Sequence, residues 1–592
     1  MSFDYKVTGR AFDSGLLRRV LGLISGYKGI FFLSLVLTIA MALLGPSVPL
    51  MVQKTIDKEI MHGDHAGLLN KCLIIIGLLL AQTLVMYFQT FYTSWLGQQA
   101  IANLRTRIFD HILHFRLKVY DKTAVGTMIT RTVSDVETVA DVFAEGLINI
   151  MGDLLQIIVI LTIMFYTDWQ LSVASLAVFP FLLLAAYIFK EKVKISFQDV
   201  RTQVGRLNAF LQEHITGMQI VQVFNREDKE EEKFRQINAN HRDANIRGVM
   251  AYAVFFPVIE VLSSISIALI IWWGAKGIIS ASVTPGVLLM FIMFINLLFR
   301  PIRQVADKFN TLQMGMVAAD RIFKVLDMTD NIPDKGENAP DVLPGKVEFK
   351  NVWFSYDDEN PEQNWILKDV SFTVEPGKML AIVGHTGAGK SSITNLINRL
   401  YTYQKGAVCI DNIPIENYKL SWLRKQIAVV LQDVFLFSDT ISNNIKLYNE
   451  TISREQMMEA AKLVGAQRFI ERLPQNYDYE VQERGATLST GQRQLISFIR
   501  AIIQDPKILI LDEATSSIDH ETEEMIQHAT EVLLKDRTSI VIAHRLATIQ
   551  NADQIIVLDK GIIAERGTHQ ELLAQNGLYK KLYELQFTEL VI

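Results

Sequence analysis

Met379-Leu-Ala-Ile-Val383-Gly384-His385-Thr386-Gly387-Ala388-Gly389-Lys390-Ser391-Ser392 starts as five apolar residues, breaks into glycines, and opens a helical pattern that runs to Leu400. The spacing matches G-x-x-x-x-G-K-[ST], and the strand before it and helix after it are the setting that motif requires. Glycines let backbone N–H groups come close to phosphate oxygens, and the helix N-terminus adds partial positive charge. Lys390 is then placed to reach β- and γ-phosphates, and the Ser391 hydroxyl to ligate Mg²⁺. His385, Thr386, Ala388 and Ser392 complete the loop around the phosphates. A glycine-rich turn without function is the bland alternative. The full spacing in its strand-to-helix setting argues against it.

Further along, Ile508-Leu-Ile-Leu-Asp512-Glu513 is an apolar strand ending in two acids. Four apolar residues bury the strand and leave the acids at its C-terminal end, where ligands of open α/β sheets bind. Asp512 suits Mg²⁺, and Glu513 suits a base that polarises the attacking water. Together with the glycine loop this reads as a nucleotide hydrolase using ATP and Mg²⁺. Around the two motifs, 347–356, 379–383, 427–431, 508–511 and 539–542 read as strands. Residues 390–400, 491–504 and 520–534 read as helices. That alternation predicts an α/β domain with a mostly parallel sheet covered by helices.

The N-terminal half has a different character. Half of the 592 residues are apolar and 20% are charged, against roughly 25% in ordinary globular domains. The apolar excess lies before about residue 300. Stretches at 30–52, 68–96, 147–166, 171–189, 252–273 and 283–299 approach or exceed the roughly 17–25 apolar residues that span a bilayer. Pro285, Gly286 and Asn296 interrupt the sixth. Buried helices of a soluble bundle would each carry a polar face, and these stretches are apolar all round. Residues 1–14 make a poor secretory signal, so the first stretch reads as a retained anchor. Ser14–Lys28 spaces Leu16, Leu17, Val20, Leu21 and Ile24 helically around Arg18 and Arg19, which fits a helix on the membrane surface. The other reading is the polar start of the first span. A net charge of −5 gives no sign of a nucleic-acid partner. Cys72 and Cys409 form neither a disulfide framework nor a zinc site.

Basic residues fix an expected orientation. Arg105, Arg107, Arg116, Lys118, Lys122 and Arg131 follow the second stretch, and Lys190, Lys192, Lys194, Arg201 and Arg206 follow the fourth. Positive loops stay in the cytosol, so both termini are expected there. These two connections are long and keep helical periodicity (Leu104, Ile108, Ile112 and Phe115, then Leu207, Leu211, Ile215 and Ile220), so the spanning helices are expected to continue beyond the membrane. The expected division is a six-helix transmembrane domain at 1–326, a linker rich in Asp, Pro and Gly at 327–345, and an ATPase domain at 346–592.

Leu488-Ser489-Thr490-Gly491-Gln492, just ahead of the acidic strand, resembles the LSGGQ signature of ABC (ATP-binding-cassette) ATPases. Tyr356, Gln432 before Asp433, Asp519 and His544 resemble that family's A-loop, Q-loop, D-loop and switch histidine in order and spacing. Glu213, Gly217, Val221, Phe224, Glu227 and Phe234 resemble the second long cytosolic loop of type IV ABC exporters. Gly126, Arg131 and Asp135 resemble the first, and Tyr479–Gly485 resembles the X-loop. The resemblance covers nearly the whole chain and is strongest to half-transporters.

That resemblance implies a dimer with ATP between the glycine loop of one chain and the signature of the other. It implies that Tyr356 stacks on adenine and that Ser489, Gly491 and Gln492 act across the dimer. Gln432 would sense Mg²⁺ and water, and His544 would contact the γ-phosphate. It also implies alternating access in the cell (inner or plasma) membrane, exporting an amphipathic, drug-like, lipid-like or peptide substrate. Import, or an ATP-gated channel or regulatory subunit, are the alternatives. Intact Glu513 and His544 count against a gate, and no appended substrate-capturing domain is visible, which favours export. Thr490 stands where the signature has glycine. Either the position needs no positive φ, or the site is weakened as in one half of some heterodimers. A homodimer is the favoured reading and a heterodimer the other. Within the spans, Glu260 and Asp153 are acids at membrane depth, where ionisable groups face a cavity or a partner. Glu260 is read as a cavity residue for cationic substrates or as a structural hydrogen bond, with equal weight.

Overall fold

The computed structural model describes residues 14–142, 148–332, 334–512, 520–542 and 546–587. The chain divides into two compact units, Met1–Leu113 with Thr123–Thr329, and His114–Lys122 with Asp330–Ile592.

Twelve α-helices precede residue 330 among the described residues: α1 (Ser14–Gly22), α2 (Lys28–Lys54), α3 (His65–Leu113), α4 (Leu117–Lys122), α5 (Val125–Thr132), α6 (Ser134–Asp141), α7 (Ile148–Thr167), α8 (Trp169–Leu176), α9 (Phe179–Thr216), α10 (Met218–Val223), α11 (Glu227–Ile279) and α12 (Pro285–Asp327). All but α4 belong to the first unit. Among the described residues, six helical stretches are long and apolar enough to cross a bilayer: Ser25–Ile60, His65–Leu113, Ile148–Thr167, Trp169–Thr216, Glu227–Ile279 and Pro285–Gln304. Several run far past their apolar windows. Leu104, Ile108 and Ile112 of that extension are buried, while Ile215 and Ile220 are exposed.

The fourth stretch is not one continuous helix. It breaks between α8 and α9, where Pro180 occupies the first turn of α9, because a proline ring cannot continue the preceding ladder. Pro285 opens α12 in the same first-turn position, behind a Thr284 cap whose hydroxyl accepts from the Val287 N–H. More than half of the most apolar window of α12 is buried, and none of that of α3. α12 is therefore the interior helix of this unit, packed through Phe291, Phe294, Leu298 and Phe299. Without a hydrophobic force in lipid, small residues let helices approach closely. A Cβ at Gly152 of α7 would lie 2.7 Å from the Thr38 methyl of α2. α1 is a separate short helix rather than the start of the first span. Its Val20 is buried, and Arg19 forks onto Asp327 at the end of α12 with two 2.7 Å bonds.

The second unit carries strands β1 (Val347–Phe354), β2 (Leu367–Val374), β3 (Met379–Val383), β4 (Lys405–Ile410), β5 (Ile413–Pro414), β6 (Ile427–Val430), β7 (Asp439–Thr440), β8 (Glu480–Val481), β9 (Ile508–Asp512), β10 (Thr538–Ile542), β11 (Gln554–Asp559) and β12 (Ile562–Gly567). Six form a sheet in the order β12-β11-β3-β10-β9-β6, parallel apart from the β11–β12 pair. Its inner strands are buried on both faces, as parallel strands under helices must be. A second, antiparallel sheet, β2-β1-β4-β5, lies outside the sequence-based expectation. The segment between Asp330 and β1 packs closely: the Asn338 N–H donates to Asn417 O at 3.0 Å, and Asp334 accepts from the Leu420 N–H at 2.9 Å. The short stretch His114–Lys122 packs into this unit too, with Lys118 2.5 Å from Asp358 and the Tyr401 hydroxyl donating to Asp121.

Candidate nucleotide site

β3 is fully committed to the sheet, so the chain must turn sharply at its C-terminal end to reach the helix Lys390–Ile397. Glycine makes that turn possible. Gly389, the residue before the helix, has φ +106°, and a Cβ there would press within 2.8 Å of Leu367. A Cβ on Gly384 would meet the Leu558 carbonyl oxygen at 2.2 Å. At these two positions the loop has room for backbone only, where the helix N-terminus begins.

Lys390 is nearly buried at the first helical position. Its ammonium donates to Gly384 O at 2.6 Å and His385 O at 3.1 Å. Burial pushes its pKa down, and the charge of Asp512 acts in the opposite direction. Tyr356 stands edge-on to Phe354 and Tyr401, with centroids 4.7 and 4.8 Å away. Its hydroxyl shares a 3.0 Å hydrogen bond with Ser392 and accepts from Asn395 at 3.3 Å. A cavity of about 420 Å³ gathers Tyr356, Thr386, Lys390, Ser391, Gln432 and Asp512. These residues come from four separate parts of the sequence. An aromatic edge, a glycine loop at a helix N-terminus, an ammonium and three oxygen donors form one wall. That set fits a nucleotide with Mg²⁺, because the ion prefers hard oxygen ligands shared with phosphate.

Ser489, Gly491 and Gln492 do not line this cavity. They begin the helix Thr490–Ile503, where Ser489 and Gln492 form a reciprocal cap. The Ser489 hydroxyl accepts from the Gln492 N–H at 3.2 Å, and the Gln492 amide oxygen accepts from the Ser489 N–H at 3.0 Å. Thr490 is the first helical residue and is not among those with positive φ, and its hydroxyl accepts from Arg493 at 3.1 Å. The backbone at Thr490 is thus helical, with no positive φ. Glu513, Asp519 and His544 lie outside the described residues.

Two family descriptions match the chain, an ABC transporter transmembrane region over residues 31–302 and an ABC transporter domain over 367–516. The uncharacterized ABC transporter ATP-binding protein YknV of Bacillus subtilis is 36% identical over 590 residues, 98% of this chain and 96% of its own length. The ATP-dependent lipid A-core flippase of Syntrophus aciditrophicus is 35% identical over 577 residues, 97% of this chain and 95% of its own. The probable multidrug resistance ABC transporter ATP-binding/permease protein YheH of Bacillus subtilis is 38% identical over 517 residues, 86% and 76% of the two chains.

The chain belongs to the ABC transporters. As an ABC half-transporter of the type IV exporter kind, it is a multi-pass membrane protein that binds ATP and couples its hydrolysis to transport. Half-transporters of this family work as dimers. Sequence reasoning about this ABC transporter missed Asn395 and Tyr401, which hold the Tyr356 ring. Neither belongs to a motif, and only the folded sheet brings them beside it. It also missed most of a polar cavity in the membrane unit, about 580 Å³ between α2, α3, α7 and α12. Asp153 lines that cavity and pairs with Lys308. Glu260 does not line it. It sits on α11, 68% exposed, with Arg303 2.9 Å away.

Proposed function

We propose that this ABC transporter is a homodimeric exporter of an amphipathic substrate, working by alternating access. One observation carries the dimeric site. Each chain gathers Tyr356, Lys390, Ser391, Gln432 and Asp512 around a cavity and places its signature helix elsewhere, so the site is incomplete without a second copy. In this reading Tyr356 stacks on adenine, and backbone N–H groups of Gly384–Gly389 with Lys390 and Ser392 hold the phosphates. Ser391, Gln432 and Asp512 hold Mg²⁺, which supplies charge neutralisation at the phosphate oxygens. Ser489, Gly491 and Gln492 of the second copy approach the γ-phosphate with their helix N-terminus. Glu513 takes the proton of the attacking water, and His544 contacts the γ-phosphate. Thr490 supports the homodimer, since a helical position tolerates a β-branched residue without strain.

The relatives' names, a lipid A-core flippase and a multidrug resistance transporter, support export of amphiphiles over import. The Lys and Arg content of the two long connections supports a cytoplasmic ATPase domain and cytoplasmic termini in the cell membrane. We keep 1–326, 327–345 and 346–592 as the working division into membrane domain, linker and ATPase domain.

The test is the full chain purified alone and reconstituted in lipid vesicles. ATPase sites facing outward should take a fluorescent amphiphile into the vesicle lumen only with ATP, and two ATPs should bind per dimer. One ATP per dimer, or no turnover without a different partner chain, would overturn the homodimer. ATP-driven loss of preloaded amphiphile from those vesicles would overturn export.

A further inference from the structure

α9 and α11 form a hairpin, and the short helix α10 turns the chain around at its tip. Ile220 and Val223 of α10, and Phe224 after it, are exposed, so the turn has no core of its own to fix it. One polar pair ties the two long helices directly behind it. His214, near the end of α9, points Nε2 at the Glu230 carboxylate of α11 at 2.9 Å and Nδ1 at the Phe210 carbonyl oxygen at 2.8 Å. Among the described residues the next ion pair between these helices, Arg247 to Asp199, lies about four turns back from the tip. His214 stands roughly 25 residues past the apolar stretch 171–189, about 37 Å along the helix and well outside the part that crosses hydrocarbon.

A neutral imidazole carries one N–H and can donate to only one of two acceptors. Both nitrogens of His214 face acceptors, a backbone carbonyl and a carboxylate. Lys233 keeps that carboxylate ionised. It donates to both Glu230 oxygens at 2.8 and 2.9 Å, and these bonds lower the Glu230 pKa most, ahead of His214. Only the imidazolium, with two N–H groups, satisfies the arrangement. The Phe210 ring lies nearly parallel to it, centroids 3.8 Å apart, which also favours a cation. Side-chain exposures of 21% for His214 and 15% for Glu230 leave little room for water to replace the bond. The charges acting on His214 are Glu230 of α11 and Glu213 of α9, and α10 contains no ionisable residue. The Glu230 hydrogen bond raises the histidine pKa most and the Phe210 carbonyl next, while burial opposes them.

We propose that His214 is a proton-operated clasp: protonated, it locks α9 to α11 behind α10, and deprotonated, it releases one acceptor and loosens the turn. A group whose pKa is raised by folding contributes fully below its unfolded value and loses that contribution as pH rises through the folded one. The clasp is therefore shut below about pH 6.5, the ordinary histidine value, and opens on the alkaline side of it. With the long connections in the cytosol, the pH it reads is the cytosolic one. The inference depends neither on what is transported nor on the direction.

The experiment follows the full chain in phosphatidylcholine nanodiscs from about pH 5.5 to about pH 9 by hydrogen–deuterium exchange and mass spectrometry. Exchange of the ring Cε1–H in the His214 peptide gives that residue's own titration, and its midpoint should lie above that of His214 in the Glu230→Gln chain. Amide exchange over 217–225 is divided by that of His214→Gln at the same pH, which cancels the intrinsic chemistry. It should be roughly 3- to 10-fold slower at about pH 6, the worth of one net hydrogen bond, and equal at about pH 9. His214→Arg should keep the slow exchange at both ends, because guanidinium stays charged, a gain that a misfolded variant cannot show. An unshifted midpoint, or equal protection of 217–225 in His214→Gln at about pH 6, would overturn the clasp. So would a loss of protection at about pH 9 in His214→Arg as large as in the unaltered chain.

Discussion

The nucleotide cavity and the membrane cavity are similar in size, about 420 and 580 Å³, yet they are built in opposite ways. The first is set by backbone. A strand held in a parallel sheet, three glycines and a helix start fix where phosphate must lie, and the side chains around it, though drawn from four parts of the sequence, are few. The second is set by side chains, spread one or two per turn over four helices. A site written in backbone tolerates little change. A site written in scattered side chains can be retuned a residue at a time.

The largest effect that sharpens this contrast is at Glu513. Glu513→Gln should lower ATP turnover roughly 10²–10⁴-fold, the usual worth of a general base, with ATP binding retained and the closed dimer accumulating. Phosphate release by this variant at near the unaltered rate would remove Glu513 from the role. Asp153→Asn should act far less severely. It removes one charge-assisted bond to Lys308 at a half-buried site, worth about 1.5–3 kcal/mol, and should lower the unfolding temperature in detergent while ATP turnover continues. Loss of turnover as complete as at Glu513 would break the contrast, because the cavity would then be as indivisible as the catalytic centre. The smallest effect is expected at Thr490. As a first-turn helical residue, Thr490→Gly costs only the difference in helix propensity, about 0.5 kcal/mol or less. Homodimer ATPase should stay within a few-fold of the starting rate, and a rise of 10-fold or more would show that the threonine had been weakening the composite site.

The same difference decides what the sequence could reveal. Gly384 to Ser392 and Ile508 to Glu513 are contiguous, and each carries its structural setting in its flanks, so strand, loop and helix are readable without the fold. The antiparallel sheet is not. β1 pairs with β4 across more than fifty intervening residues and shifts register between Lys350 and Trp353, and no local pattern encodes a pairing at that distance. The break before α9 was hidden because Pro180 in an apolar run reads equally as a kink or as a new helix start. The membrane cavity was hidden for a further reason. Helices that are apolar all round have no polar stripe to indicate which face turns inward, so Gln82, Gln156 and Arg300 reveal their common side only when α12 is seen at the centre. Glu260 drew attention by its chemistry, and its neighbour on the next helix, Arg303, was invisible to periodicity.

The length of α3 has a mechanical meaning. Forty-nine residues without an internal proline make a rod of about 74 Å at a rise of about 1.5 Å per residue. A tilt of about 5° carries the far end of such a rod about 6 Å, more than one helical turn. Movement on that scale asks nothing of the rod's own hydrogen bonds. The adjustment falls at its fulcrum, beside the wider-wound turn Thr55–Ile60 that joins it to α2, where one backbone turn already departs from the α-helical ladder. Leverage of this kind lets a small rearrangement at one end open or shut a passage of molecular width at the other.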